Sequence, residues 1–335
     1  MQGFLATHLG RPDGKVKKEF STKPIVASLS KILGKKVKFI DDCIGDKVAK
    51  EIKTMRGGEV LLLENLRFHA EEQKNDQKFA RALAMPFSVY VNDAFAVDHR
   101  ADASVSAIKK FLPSYGGLLL AEEIKNLNKV LKPKSPLVVV MGGSKIGSKL
   151  PMLKKFLKIA DKILIGGALA NNFVSARGFV VGKSLVDPES IALAKKLDCA
   201  KIVLPVDFLV KENKKSGAKL KKAGEIKDKD AIYDIGPETI RLFASFIKPA
   251  KTLIWNGPMG LFEDKEFRNG TMAVAREVSF TARGRAFAVA GGGETIEALK
   301  LAKTINDLDW VSTGGGATLE YLGGEKMPGL AGIGK

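Results

Sequence analysis

The stretch LVVVMGGSKIGSKLPML (137–153) reads as a strand that turns through two glycines into a helix. Leu137–Met141 is apolar without alternation, the pattern of a parallel strand covered on both faces. Gly142 and Gly143 allow positive φ and close backbone approach, and the helix that follows points unused N–H groups at the same spot. Lys145 and Lys149 are four residues apart, so in a helix they share one face at its positive end. Two cations there repel unless an anion lies between them. Pro151 is tolerable only if the helix starts near Ser148 or Lys149.

The same pattern recurs outward from this stretch. A strand over 162–165 runs into Gly166, Gly167 and Ala168, and one over 252–256 into Gly257-Pro258-Met259-Gly260-Leu261-Phe262-Glu263. A strand over 286–290 ends in Gly291-Gly292-Gly293-Glu294-Thr295, and one over 310–312 in Thr313-Gly314-Gly315-Gly316-Ala317-Thr318. Close packing explains one such glycine pair, whereas five at the carboxyl ends of one open sheet point to an anion or nucleotide. Further strand-like runs are 4–8, 37–41, 59–63, 88–93 and 201–205. Between them lie amphipathic helices, one over 25–33 stopping at Gly34 and one opening at Gly236-Pro237. Repeated β-α alternation over 335 residues predicts an α/β chain of two doubly wound, parallel-sheet (Rossmann-like) domains. The boundary falls at a helix over 121–136 that ends in Lys132-Pro133-Lys134-Ser135-Pro136.

Composition narrows the function. With 45% hydrophobic and 27% charged residues, disordered and collagen-like readings are excluded, and no apolar run approaches the ~18 residues of a membrane span. MQGFLATHLGRP at the N-terminus has no signal-peptide pattern. Cys43 and Cys199 form no CxxC, and with three His in all, disulfide and zinc frameworks are disfavoured and a cytoplasmic location is expected. The net charge of +18 admits a nucleic acid or a polyanionic small molecule. The lysines are scattered on helix-like segments or clustered at 211–222, both patterns of solvated faces, and aromatics are only 7%, so no nucleic-acid partner is expected. GFVVGKS (178–184) has the wrong glycine spacing for a Walker loop, and no GxGxxG fingerprint is present.

In the first half, every histidine falls within three residues of an arginine just past a strand: His8 with Arg11, His69 with Arg67, His99 with Arg100. This suggests a basic crevice for a small phosphorylated or carboxylated molecule. One domain gripping a polyphosphate and another gripping a small anion, with a hinge between, is the anatomy of phosphoryl transfer with closure.

At these residues the chain resembles the phosphoglycerate kinases, in order from HLGRP (8–12) through LLLENLRFH (61–69), VNDAF (91–95), HRA (99–101), GGSKIGSK (142–149), GKSL (182–185), LPVD (204–207), DIGP (234–237), WNGPMGLFE (255–263) and GGGET (291–295) to STGGGA (312–317). The resemblance implies a cytoplasmic glycolytic monomer that moves a phosphoryl group between ATP and 3-phosphoglycerate, giving ADP and 1,3-bisphosphoglycerate, with Mg²⁺. It implies a 3-phosphoglycerate domain over 1–120, a hinge helix over 121–136, a nucleotide domain over 137–316, and a segment, 317–335, returning toward the first domain. By the same resemblance His8, Leu9, Gly10, Arg11, Arg67 and Arg100 hold 3-phosphoglycerate. Lys145 and Gly293 serve the phosphoryl group in flight. Gly143, Ser144, Lys149, Gly166, Gly167, Asn256, Pro258, Glu263, Gly292, Gly293, Glu294 and Thr295 form the nucleotide site, with Glu294 toward the metal.

There are departures. Glu294 stands where the family usually has Asp, Ser144 where it has Ala, and Asp102 where a second His is common. The family's opening RVDFNVP-type strand and the helix bearing another substrate arginine precede the part of the family represented here. A catalytically impaired nucleotide-binding protein is therefore the alternative expectation. Because the nucleophile is already a carboxylate, catalysis reduces to positioning and charge neutralisation. Lys145→Ala is then expected to lower turnover on the order of hundreds-fold while calorimetry finds ADP affinity little changed; an unchanged rate removes Lys145 from the role.

Overall fold

The computed structural model describes residues 2–143, 147–213 and 215–334. The chain divides into two compact units, Met1–Leu120 with Met327–Lys335, and Ala121–Lys326.

In the first unit, β1 (Gly3–Leu5), β2 (Val37–Ile40) and β3 (Val60–Leu63) form a parallel sheet in the order β1-β3-β2. β4 (Tyr90–Asn92) and β5 (Ser114–Gly116) pair separately, also in parallel. The inner edges of β1 and β4 are not bonded to each other, although the ring of Phe4 lies 4.8 Å from that of Phe87. Helices α1 (Val26–Leu33), α2 (Asp46–Thr54), α3 (Ala70–Gln73) and α4 (Gln77–Ala84) complete the alternation. α1 ends where expected, at Gly34 with φ of 63°. The core gathers Val48 and Ile52 of α2, Leu61 and Leu63 of β3, and Phe79 and Leu83 of α4.

The C-terminal residues belong here too. Gly334 donates to the Ser114 carbonyl at 2.9 Å, and the Lys109 amine donates to the carbonyls of Pro328 and Gly329 at 2.6 and 2.7 Å. Asp98 packs so tightly on Gly329 that a side chain there would come within 2.1 Å of its carboxylate. Burial pushes the Asp98 carboxyl up to about 6.

Helix α5 (Leu118–Leu131) carries the chain into the second unit. There β6 (Leu137–Met141), β7 (Lys162–Ile165) and β8 (Ile202–Val203) share a six-stranded parallel sheet with three later strands. α6 (Leu150–Ile159), α7 (Gly167–Ala176) and α8 (Pro188–Leu197) lie between and after them, with Pro151 at the start of α6 as its chemistry requires. β9 (Asp207–Lys211), β10 (Lys219–Lys222) and β11 (Ala231–Ile235) then form an antiparallel sheet that the all-parallel expectation lacked. α9 (Pro237–Ile247), β12 (Thr252–Asn256), α10 (Asn269–Ala282), β13 (Phe287–Gly291), α11 (Gly293–Ala302), β14 (Trp310–Ser312) and α12 (Gly316–Gly323) close the unit. The sheet order is β14-β13-β12-β6-β7-β8, so winding reverses between β6 and β12.

The expected return of 317–335 starts later. α12 stays in the second unit, with Gly323 against Pro151 of α6, and only the residues from Met327 join the first. Asp207 anchors α9 from outside that helix: its buried carboxylate accepts the N–H groups of Glu238 and Thr239 at 2.9 and 2.7 Å. Asp207→Ala strands these donors and is expected to cost about 1–3 kcal/mol in a urea unfolding series; an unshifted midpoint would refute the capping role.

Candidate functional site

Ligands in open α/β sheets bind beyond the carboxyl ends of the strands, where the winding reverses. In the second unit this point lies between the loops that follow β6 and β12. Parallel register sets Asn256 opposite Met141, and beyond it Gly142 N–H donates to the Asn256 carbonyl at 2.9 Å and Gly143 N–H to the Pro258 carbonyl at 3.0 Å. A side chain on Gly142 would come 1.9 Å from the Pro258 oxygen, so only glycine fits.

Gly143 differs from its neighbour. A Cβ there would stand 3.5 Å from the Lys149 amine and 3.6 Å from the Glu294 carboxylate, so both charges flank this residue, and its φ of 84° is what favours glycine. Lys149 is buried, and its Nζ donates to Asn256 Oδ1 at 2.8 Å. Burial lowers its pKa, and the Glu294 carboxylate opposes that shift. Glu294 lies in the first turn of α11, whose early N–H groups have no acceptor within the helix. A cleft of about 380 Å³ continues from here, with Gly143, Gly167, Pro258, Glu263 and Glu294 in its lining. Leu185, Pro205, Tyr233 and Leu261 add apolar surface, and Lys183 adds a cation.

In the first unit the loop after β1 is tied to the loop after β3. Asn65 Nδ2 donates to the carbonyls of Leu9 and Phe20, both at 2.8 Å, and Leu66 N–H to the Thr7 carbonyl at 3.1 Å. Gly10 has φ of 63°, and a Cβ there would strike the Phe20 ring at 2.4 Å. The buried Arg67 guanidinium donates from Nη1 to the Gly10 carbonyl at 3.1 Å and lies 3.5 Å from the Asp102 carboxylate. Burial, followed by the charges of Arg67 and Arg100, lowers the His8 pKa to about 4 against the weaker pull of Asp102. At neutral pH His8 is therefore an uncharged hydrogen-bonding group beside two arginines.

A family model described as phosphoglycerate kinase matches residues 2–325. Phosphoglycerate kinases of Geobacter metallireducens and of a Wolbachia strain from Culex pipiens are 45% and 44% identical; each alignment covers 98% of this chain and 84% and 85% of the relative. The solved structure of phosphoglycerate kinase from Coxiella burnetii superposes with a TM-score of 0.86 at 35% identity, over 98% of this chain and 85% of that one. The chain belongs to the phosphoglycerate kinase family.

Both clusters fall within the residues that the family model matches. Of the residues expected in the substrate cradle, Arg67 and Arg100 both act electrostatically on His8, while Leu9, Gly10 and Arg11 are exposed on the same loop as His8. Of those expected around the nucleotide, Gly143, Lys149 and Glu294 converge, and Gly293 has open space over its Cα. Ser144 and Lys145 lie outside the described residues.

Other expected residues hold the frame by their side chains or packing. Asn256 spends both ends of its amide, on Lys149 and on the Gly291 carbonyl at 2.7 Å. The Thr295 hydroxyl accepts from Gly257 N–H at 2.7 Å. Gly166 packs on Met259, and Gly292 turns at φ of 96° against Asn256. The sequence does not mark Leu185, Pro205 and Tyr233 as lining residues, though the first two lie within the motifs GKSL and LPVD and Tyr233 directly precedes DIGP. Asp42, Cys43 and His69 cluster in the first unit, but Asp42 is engaged by the Cys43 N–H and by His69, and burial drives the thiol pKa up, opposite to a metal thiolate.

His8 binds its proton more weakly in the folded protein than the ordinary value of 6.5. Its stabilising contribution is complete above about 6.5 and is lost as pH falls through about 4. In thermal melts from pH 7 to 4.5, wild type is expected to lose more stability than His8→Gln, and parallel curves would refute the shift.

Proposed function

We propose that the chain catalyses reversible phosphoryl transfer between ATP and the carboxylate of 3-phosphoglycerate, giving ADP and 1,3-bisphosphoglycerate in glycolysis. The observation that carries this is the family match over residues 2–325, which spans both units and the residues of both clusters.

In this reading the second unit takes the nucleotide. Its apolar cleft wall receives the base, the early N–H groups of α11, including those of Gly292, Gly293 and Thr295, meet phosphate oxygens, and Lys149 supplies an ammonium held in aim by Asn256. Gly166, Gly167 and Pro258 shape the floor, Glu263 lies toward the ribose, and Lys145 serves the transferring group. In the first unit His8, Leu9, Gly10, Arg11, Arg67 and Arg100 take 3-phosphoglycerate, with the arginines on its anionic groups.

Mg²⁺ fits the donor chemistry: Glu294 borders the space over Gly143 and offers oxygen, and this ion is commonly held by one carboxylate together with substrate phosphates. When bound with the nucleotide it neutralises phosphate charge. The extra methylene of Glu294 over Asp is consistent with contact through water.

The substrate's own carboxylate is the nucleophile, so no protein base is needed. The residues align the reactants, offset the charge on the phosphoryl oxygens and, as the 121–136 hinge closes, exclude water. Among the described residues no helix is long and apolar enough to cross a membrane, and both cysteines are free. A cytoplasmic monomer with no nucleic-acid partner follows as part of the proposal.

The test pairs an assay of acyl-phosphate formation from ATP and 3-phosphoglycerate with a calorimetric titration of ADP. Turnover with binding is expected. Binding without turnover would instead assign the chain to the catalytically impaired alternative.

A further inference from the structure

The buried guanidinium of Arg67 has an unusual set of partners. Nη1 donates to the Gly10 carbonyl, yet Nε and Nη2 have no hydrogen-bond acceptor among the described residues. The nearby acid, Asp102, is itself buried, and its carboxylate stands 3.5 Å from Nη2. A charge-assisted bond would close to about 2.7–2.9 Å. Asp102 therefore balances the charge of Arg67 without saturating its donors. The guanidinium is electrically satisfied and geometrically incomplete, which is the state of a group poised to exchange partners. Arg11, Arg67 and Arg100 are the cations of the cradle, and Asp102 is the acid whose charge reaches His8 along with those of Arg67 and Arg100.

We propose that Asp102 is the affinity-determining residue of this cradle: it competes with the bound anion for Arg67, so the site holds its phosphorylated hydroxy-acid less tightly than its arginines alone would. This rests on reading the first unit as the 3-phosphoglycerate site. A negative charge in a buried pocket repels an incoming phosphate or carboxylate directly. It also engages the one guanidinium that is fully enclosed, so each binding event must displace an internal ion pair. The opposite role, in which Asp102 aims Arg67 at the substrate, predicts the opposite sign, so the two are separable by a single substitution.

Asp102→Asn keeps the shape and removes the charge. The KM for 3-phosphoglycerate is expected to fall about ten-fold, with the KM for ATP unchanged and kcat not raised. A loss of stability alone cannot produce that split. Asp102→Ser serves the same purpose if the Asn variant does not fold. An unchanged or higher KM for 3-phosphoglycerate overturns the proposal. Calorimetric titration with inorganic phosphate alone needs no turnover and is expected to show tighter binding in the variant. If wild type proves inactive with 3-phosphoglycerate, the functional reading fails, and the phosphate titration still decides whether Asp102 restrains the cradle.

Discussion

The close backbone crossing between the loops after β6 and β12 is the constraint on which the cleft of the second unit depends. Gly142 lies under the Pro258 carbonyl, and Gly257, at φ of 95°, faces the Gly142 carbonyl, where a Cβ would come within 2.4 Å. Neither loop could carry a side chain at the crossing. Its position follows from parallel register between two buried apolar strands, and the rest is transmitted outward: Asn256 lands beside Lys149, and Thr295 reaches the Gly257 amide. A shift of one residue would flip each side chain to the other face of the sheet, parting Asn256 from the cation it holds.

Much of this was legible in the sequence, and the failures are instructive. Unbroken apolar runs followed by glycine pairs marked the strands of the larger sheet and their functional ends, because a parallel strand buried on both faces cannot hide its pattern. What the glycines do was only half legible. Gly142, Gly166 and Gly257 sit where a Cβ would collide, Gly143 takes φ of 84° with room for ordinary contact, Gly293 has nothing within 4 Å, and composition is the same in every case. The antiparallel sheet escaped because β10 is Lys-Leu-Lys-Lys, a mostly exposed strand whose charges read as a solvated cluster. Two of those lysines are paired with acids close by in the chain, Lys221 with the buried Asp230 and Lys219 with Glu212.

The ends of elements were less legible than their existence. The run 201–205 pairs only at Ile202 and Val203, and β5 is three residues whose role is defined partly by the returning C-terminus. Contacts so far apart in sequence leave no local period to read. Arg67 is the counterexample. Its motif marked it out, but neither its burial nor its pairing with Asp102 could be inferred from spacing.

Burial has opposite effects on the two classes of ionisable group, and this explains the choice of cations in the two clusters. It lowers the pKa of His8 and Lys149 and raises those of Asp98 and Asp234, the last to about 7. A histidine half-enclosed among arginines cannot stay charged at neutral pH, and burial weakens the hold of Lys149 on its proton, an effect that the Glu294 carboxylate opposes. Arginine escapes the dilemma because its guanidinium does not lose its proton in proteins. An enclosed basic cluster therefore keeps its charge on Arg67 and Arg100, with His8 neutral beside them. Beside Gly143 one lysine is joined by backbone N–H groups at the start of α11, which carry no proton to lose and keep their partial charge at every pH.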